Sequence, residues 1–143
     1  WVRTVASQDA VVQRLMTVPG VGGVVALSYT ATLDTPSGFG GEARRVSAYL
    51  GLVPSEYSSG EQQRKGRITK MGPSTPRYLL VQAAWTLWRQ GRRRAPVLWA
   101  WVERLAARRG RRIAVTALAR RLSRILYALW RDQTVFRPLT VAA

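Results

Sequence analysis

The chain contains neither cysteine nor histidine. Without cysteine there are no disulfides and no thiolate metal sites. Without histidine there is no Ser-His triad and no His-ligated zinc. Acids are scarce as well: Asp9, Asp34, Glu42, Glu56, Glu61, Glu103 and Asp132 are the seven among 143 residues. They show no repeated short spacing, whereas a Mg²⁺-dependent nuclease centre needs converging carboxylates. No uninterrupted apolar run is present. Leu15 to Leu33 carries no charge over 19 residues, which is membrane length, but Pro19, Gly20, Gly22 and Gly23 break it. Neither a membrane span nor a signal peptide is expected, and a cytoplasmic location fits. Internal repeats and low-complexity tracts are also missing.

What the chain has in excess is positive charge. The formal net charge is +16, from 23 Lys and Arg against seven acids. The distribution is uneven. Residues 1–63 hold four Arg (Arg3, Arg14, Arg44, Arg45) and five acids, a net of −1; residues 64–143 hold the other 19 basic residues and two acids, a net of +17. A like-charge excess of this size opposes compaction unless a polyanion neutralises it. Nucleic acid is the expected partner, since each cation that displaces a phosphate counterion adds salt-dependent affinity. A hydrophobic fraction of 47% and six tryptophans argue against disorder. The length suits one domain, residues 1–143. The chain opens on Trp1 rather than Met and is expected to be a piece of a longer protein.

Turn and cap signals predict an all-α fold of about six helices. Residues 7–16 read as a short helix capped by Ser7, with Val11, Val12 and Leu15 on one face. Pro19-Gly20 ends it, and a second helix follows over Gly23 to Leu33. A third short helix spans Glu42 to Leu50 and stops at Gly51. Residues 51–73 are poor in apolar residues and read as an irregular polar loop, with room for a short hairpin around Lys65-Gly66. Three longer helices then make the basic part, residues 74–133. The first opens at a Ser74-Thr75-Pro76 hydroxyl cap and ends at Gly91. The second runs from Pro96 to Arg109, stopped by Gly110. The third runs from Arg112 to Asp132, with Leu118, Leu122, Ile125 and Leu129 in one apolar stripe and Arg120, Arg124 and Arg131 on another face.

Three features carry chemistry. The first is LMTVPGVGGVVA, Leu15 to Ala26, two helices joined by a Gly-rich turn in the manner of a helix-hairpin-helix (residues 11–33). Gly20, Gly22 and Gly23 can leave backbone N–H groups bare at a helix start, where a phosphate oxygen would accept them. The plainer reading is a tight packing turn. The second is the Ser59-Gly60 pair, followed by Arg64, Lys65, Arg67 and Lys70. A serine hydroxyl can attack a phosphodiester, and nearby cations can stabilise the charge that develops. Glu56 or Glu61 could take the proton. Ser-Gly is also an ordinary turn dipeptide, and the residues alone leave Ser55, Ser58 and Ser59 as alternatives. The third is an arginine set: Arg92, Arg93, Arg94, Arg108, Arg109, Arg111, Arg112, Arg120, Arg121 and Arg124. Trp85, Trp88, Trp99 and Trp101 interleave with it. Arginines on phosphates beside stacking aromatics would form a nucleic-acid groove. Core or interface packing is the plainer role for the tryptophans.

The order of blocks narrows these readings. LMTVPGVG, SAYLGLVPSEYSSG, GRITKMGPSTPRYLLVQAAW and RRGRRIAVTALARRL together resemble the C-terminal domain of the insertion-sequence transposase family numbered one-ten, which includes the Piv-type DNA invertases. The resemblance covers Val11 to Trp130. It implies a transposase or site-specific recombinase that cuts and rejoins DNA by transesterification. It implies a nucleophilic serine that matches Ser59, with Ser58 one residue away. It also implies an N-terminal RuvC-like domain, absent here, whose DEDD carboxylates bind Mg²⁺, so no cofactor is expected in this chain itself. A structured guide RNA, homo-oligomers and a nucleoid-associated setting follow from the same resemblance. The stretch SGFGGEARR and Pro73-Ser74-Thr75-Pro76 depart from the family's usual pattern, and the second bears on how the basic loop is presented. The rival reading is a non-catalytic helix-hairpin-helix module for DNA binding or assembly.

Overall fold

A computed structural model of the chain describes residues 4, 9–59, 62–68 and 72–138, without the side chains of 54–59 and 62–68. Six helices are ordered along these residues: α1 (Ala10–Leu15), α2 (Gly23–Leu33), α3 (Ala43–Tyr49), α4 (Ser74–Gln90), α5 (Pro96–Arg109) and α6 (Arg111–Asp132). A 3₁₀ turn, Pro36–Phe39, precedes α3, and two strands, β1 (Pro54–Ser59) and β2 (Gln62–Ile68), lie between α3 and α4. The helical architecture agrees with the sequence.

The helix starts differ in detail. Asp9 caps α1, its carboxylate accepting from Val11 N at 2.9 Å and Val12 N at 3.2 Å. A carboxylate at this position complements both the bare amides and the positive end of the helix. Ser7, the expected cap, lies outside the described residues. At α4 the N-cap position is Pro73 and no side chain caps it. The helix already includes Ser74, so no hydroxyl is left outside to cap it. Gly91 and Gly110 end α4 and α5 as their positions suggest.

The largest departure is at residues 54–68, where the expected irregular loop is an antiparallel hairpin. Its register pairs Ser59 with Gln62, Ser58 with Gln63, Tyr57 with Arg64, Glu56 with Lys65 and Pro54 with Ile68, with an irregularity between Pro54 and Glu56. The reversal falls between Ser59 and Gln62, not at Lys65-Gly66, which are both inside β2. Apart from the ladder between them, β1 and β2 add little to the packing of elements among the described residues. The hairpin thus projects from the helical body. Two strands alone are marginally stable in water, so its two feet matter.

The body is built round α6, which packs against α4, α5, α3 and α1. Leu118, Leu122, Leu126 and Tyr127 on α6 are fully buried, and Leu129 nearly so, while Ile125 is half-buried. Each fully buried leucine contributes about 1.5–3 kcal/mol. Opposite them lie Val12, Leu15, Tyr29, Val46, Leu80, Leu87 and Val102, all buried in the same cluster.

Candidate nucleic-acid interface

The hairpin rises where α3 ends. The last carbonyls of a helix have no partner within it and present partial negative charge. Here three arginines from two other helices meet that junction. Arg77 Nη1 donates to the Leu50 carbonyl at 3.3 Å. Arg120 Nε donates to the Leu52 carbonyl at 3.0 Å. Arg124 Nε donates to Ser47 Oγ at 3.0 Å. Ser47 and Ser123 are buried polar residues whose hydroxyls lie 3.0 Å apart. The single Ser123 proton goes to the Arg120 carbonyl at 2.6 Å, so Ser47 donates to Ser123. The result is one directed chain, Arg124 to Ser47 to Ser123 to the α6 backbone.

The second foot is Gly72. Its φ is +84°, and a Cβ there would collide with the Tyr49 carbonyl at the end of α3. Only glycine allows the chain at this point, four residues beyond the end of β2, to pass this close. Both feet therefore stand on the end of α3.

Arg120 and Arg124 sit one helical turn apart, half-buried. Burial pushes the Arg120 guanidinium below its ordinary pKa, and the charge of Arg124 adds to that shift. Two like charges held together in this way favour an anion between or above them. The Nη groups of both make no hydrogen bond among the described residues. These two arginines, expected in a nucleic-acid groove, are thus anchored to protein by Nε with their outer donors left over.

Ser59 is the last residue of β1. Five extended steps from Pro54 put it roughly 17 Å along the hairpin. Arg64 and Lys65 face Tyr57 and Glu56 in the ladder. Arg67 belongs to β2. Lys70, Gly60 and Glu61 lie outside the described residues.

The glycines of the PGVG turn separate by role. Gly20 has φ +89°, and a Cβ there would meet the Ala83 carbonyl at 2.6 Å and Leu87 N at 3.0 Å. It lets the turn lie directly on the α4 backbone. Gly22 is exposed, with nothing within 4 Å of an added Cβ. It is the N-cap of α2, with no side-chain cap, and half-buried Gly23 is the first helical residue.

Seven of the other arginines form two exposed groups. Arg92, Arg93 and Arg94 occupy the turn between α4 and α5. Arg108, Arg109, Arg111 and Arg112 flank Gly110 between α5 and α6. Two of these, and half-buried Arg121 on α6, cover tryptophans instead of standing free: Arg92 lies 4.9 Å from the Trp99 ring centre, Arg121 4.8 Å from Trp101, and Arg111 5.4 and 5.5 Å from Trp85 and Trp88. All four tryptophans are half-buried, and Trp85, Trp88 and Trp101 pack against the core. No group of three acids among the described residues could hold a metal ion. None of the described helices is long and apolar enough to cross a membrane.

Residues 12–99 match the family described as "Transposase IS116/IS110/IS902 family". The chain belongs to this transposase family. It is 36% identical over 130 residues to a Pseudomonas aeruginosa protein titled "Probable family 20 transposase", covering 91% of this chain and 38% of that one. It is 34% identical over 135 residues to the transposase of insertion sequence element IS1111A from Coxiella burnetii, covering 94% and 37%. It is 33% identical over 133 residues to that of IS1328 from Yersinia enterocolitica, covering 91% and 39%. The chain therefore spans under two-fifths of each of these relatives. The stretch matched by the transposase family contains the PGVG turn and the whole hairpin, from α1 into α5.

Proposed function

We propose that this chain is the DNA-handling, serine-bearing part of a transposase that cuts and rejoins DNA by transesterification. The observation that carries the reading is Ser59 at the distal end of a hairpin that Arg120 ties to the helical body at Leu52 and that is followed by a close passage of Gly72 along the end of α3. A nucleophile needs reach into a phosphate backbone and a fixed base to stand on.

In the step proposed, Ser59 Oγ attacks a backbone phosphorus. The Oγ–P bond forms and one P–O bond to deoxyribose breaks. The serine proton leaves to a carboxylate or to solvent, and the departing sugar oxygen takes up a proton as a hydroxyl. The phosphoserine diester conserves the bond energy for rejoining. Arg64, Lys65, Arg67 and Lys70 stabilise the charge on the phosphoryl oxygens. The amides of Gly22 and Gly23 and the exposed arginines of the two helix junctions hold the duplex without reading bases. As the family resemblance implies, metal-assisted chemistry is assigned to carboxylates of the RuvC-like type outside this chain.

The non-catalytic reading has one observation in its favour, the packing of Gly20 on α4, which gives the turn a purely structural use. It leaves Ser59 unaccounted for. The test is Ser59→Ala in the recombining protein: covalent protein–DNA product disappears while DNA affinity persists. Product that survives the substitution overturns the assignment.

A further inference from the structure

Between α4, α5 and the start of α6 lies an open groove of about 460 Å³, lined by Trp85, Trp88, Arg89, Glu103, Ala107 and Arg111 among others. The Trp85 and Trp88 rings are nearly parallel, 10° apart with centres 5.5 Å from each other. Arg111 lies over both rings. Glu103 Oε1 accepts from Trp88 Nε1 at 3.1 Å, which fixes that ring. Its other carboxylate oxygen has no hydrogen-bond partner among the described residues. Arg111 and Arg120 are nine residues apart on α6, which at about 100° per residue turns them to opposite sides of the helix. The groove is therefore separate from the hairpin foot, and of its lining only Arg111 also belongs to the arginines proposed to hold the duplex.

We propose that this groove takes an unpaired nucleobase from a single strand. The stacked indoles and the planar Arg111 guanidinium offer flat faces to a base, and stacking of this kind tolerates any sequence. The free oxygen of Glu103 accepts an exocyclic amino group. Its charge turns the phosphates away from that side, toward Arg89 and Arg111 and the neighbouring Arg108 and Arg112. Among the described residues the ion pairs are Glu42 with Arg44 and Arg45, and Asp132 with Arg131, so no described acid pairs with Arg89 or Arg111. The partner chemistry is thus a base plus a flexible anionic backbone. A duplex, with its bases stacked inside, has no base to offer. The same chemistry could come from a melted DNA strand or from RNA. The inference stands independently of Ser59.

The test uses the full chain and three labelled probes: a short DNA single strand, the RNA of the same sequence and the matching DNA duplex. Each single strand is also made with its bases removed. Loss of the bases should weaken binding of at least one single strand roughly ten-fold. The strand that shows the loss identifies the source. Ala107→Phe fills the groove from an exposed helix position. It should weaken the intact strand by the same factor and leave the abasic strand and the duplex within two-fold, roughly, of the unaltered chain. Equal affinity for intact and abasic strands of both kinds would overturn the proposal without any substitution. So would equal weakening of duplex and single strand by Ala107→Phe.

Discussion

Arg120 donates through Nε to the carbonyl of Leu52 at 3.0 Å, reaching from the centre of α6 to the residue pair before β1. Leu52 is fully buried, so its carbonyl has no water to fall back on. Arg120→Ala leaves that acceptor unpaired, at a cost of about 1–3 kcal/mol. Denaturant unfolding reads this loss. Amide exchange should also speed up from Leu52 into β1, while α5 stays protected. Unchanged exchange at the hairpin would show that Arg120 does not hold its foot.

Tyr29 donates to the Ser123 carbonyl at 2.7 Å inside the core. Burial, with a smaller push from Tyr127, raises its pKa well above the ordinary 10. A raised folded pKa means that the unfolded chain gives up its proton first. The stability from neutral Tyr29 is therefore complete below about pH 10 and drains away as pH climbs toward the folded value. Tyr29→Phe should cost about 1–2 kcal/mol at neutral pH. It should also flatten the fall of melting temperature above pH 10 relative to the parent. Identical alkaline slopes would contradict this.

Gly20 and Gly22 stand two residues apart with opposite tolerances. Gly20→Ala drives a methyl group into the Ala83 carbonyl at a left-handed φ. A loss of roughly 2 kcal/mol or more is expected from strain and overpacking. Gly22→Ala meets open space at φ −98° and should stay within about 0.5 kcal/mol. Thermal melts of the two variants compare them directly, and equal losses would refute the division of roles.

Affinity for duplex DNA should fall steeply with salt, because the exposed arginines neutralise phosphates. Changing Arg93 and Arg94, both exposed, to Gln should reduce the slope of log affinity against log salt by about 2. A slope that does not change would remove that turn from the interface.

Much of the helical body was legible because its breaks are chemical. Gly91, Pro96 and Gly110 punctuate α4, α5 and α6, Pro96 with a φ preset for a helix start and Gly110 with a left-handed φ that other residues resist. The stripe of Leu118, Leu122 and Leu129 marks the buried side of α6. The hairpin was legible only as room for a short one, with its turn expected at Lys65-Gly66 and not between Ser59 and Gln62. Its strands pair with each other and not with the core, so no apolar alternation shows, and polar PSEYSS reads as loop. The anchoring of Arg120 and Arg124 was also hidden. An arginine on a helix reads as solvated until the partner arrives, and Leu52 and Ser47 are roughly 70 residues away in sequence. One signal was available: Ser47 and Ser123 fall among buried positions of their helices, and a buried hydroxyl needs a partner. Family resemblance, not spacing, singled out Ser59 from Ser55 and Ser58.

The most direct test of the account is trapping of the covalent intermediate in the recombining protein, with the attached residue identified by mass spectrometry. The expected result is a DNA phosphate on Ser59, lost in Ser59→Ala, retained in Ser58→Ala, with duplex affinity unaltered in both. A phosphate on any other residue, or recombination that continues in Ser59→Ala, would contradict it.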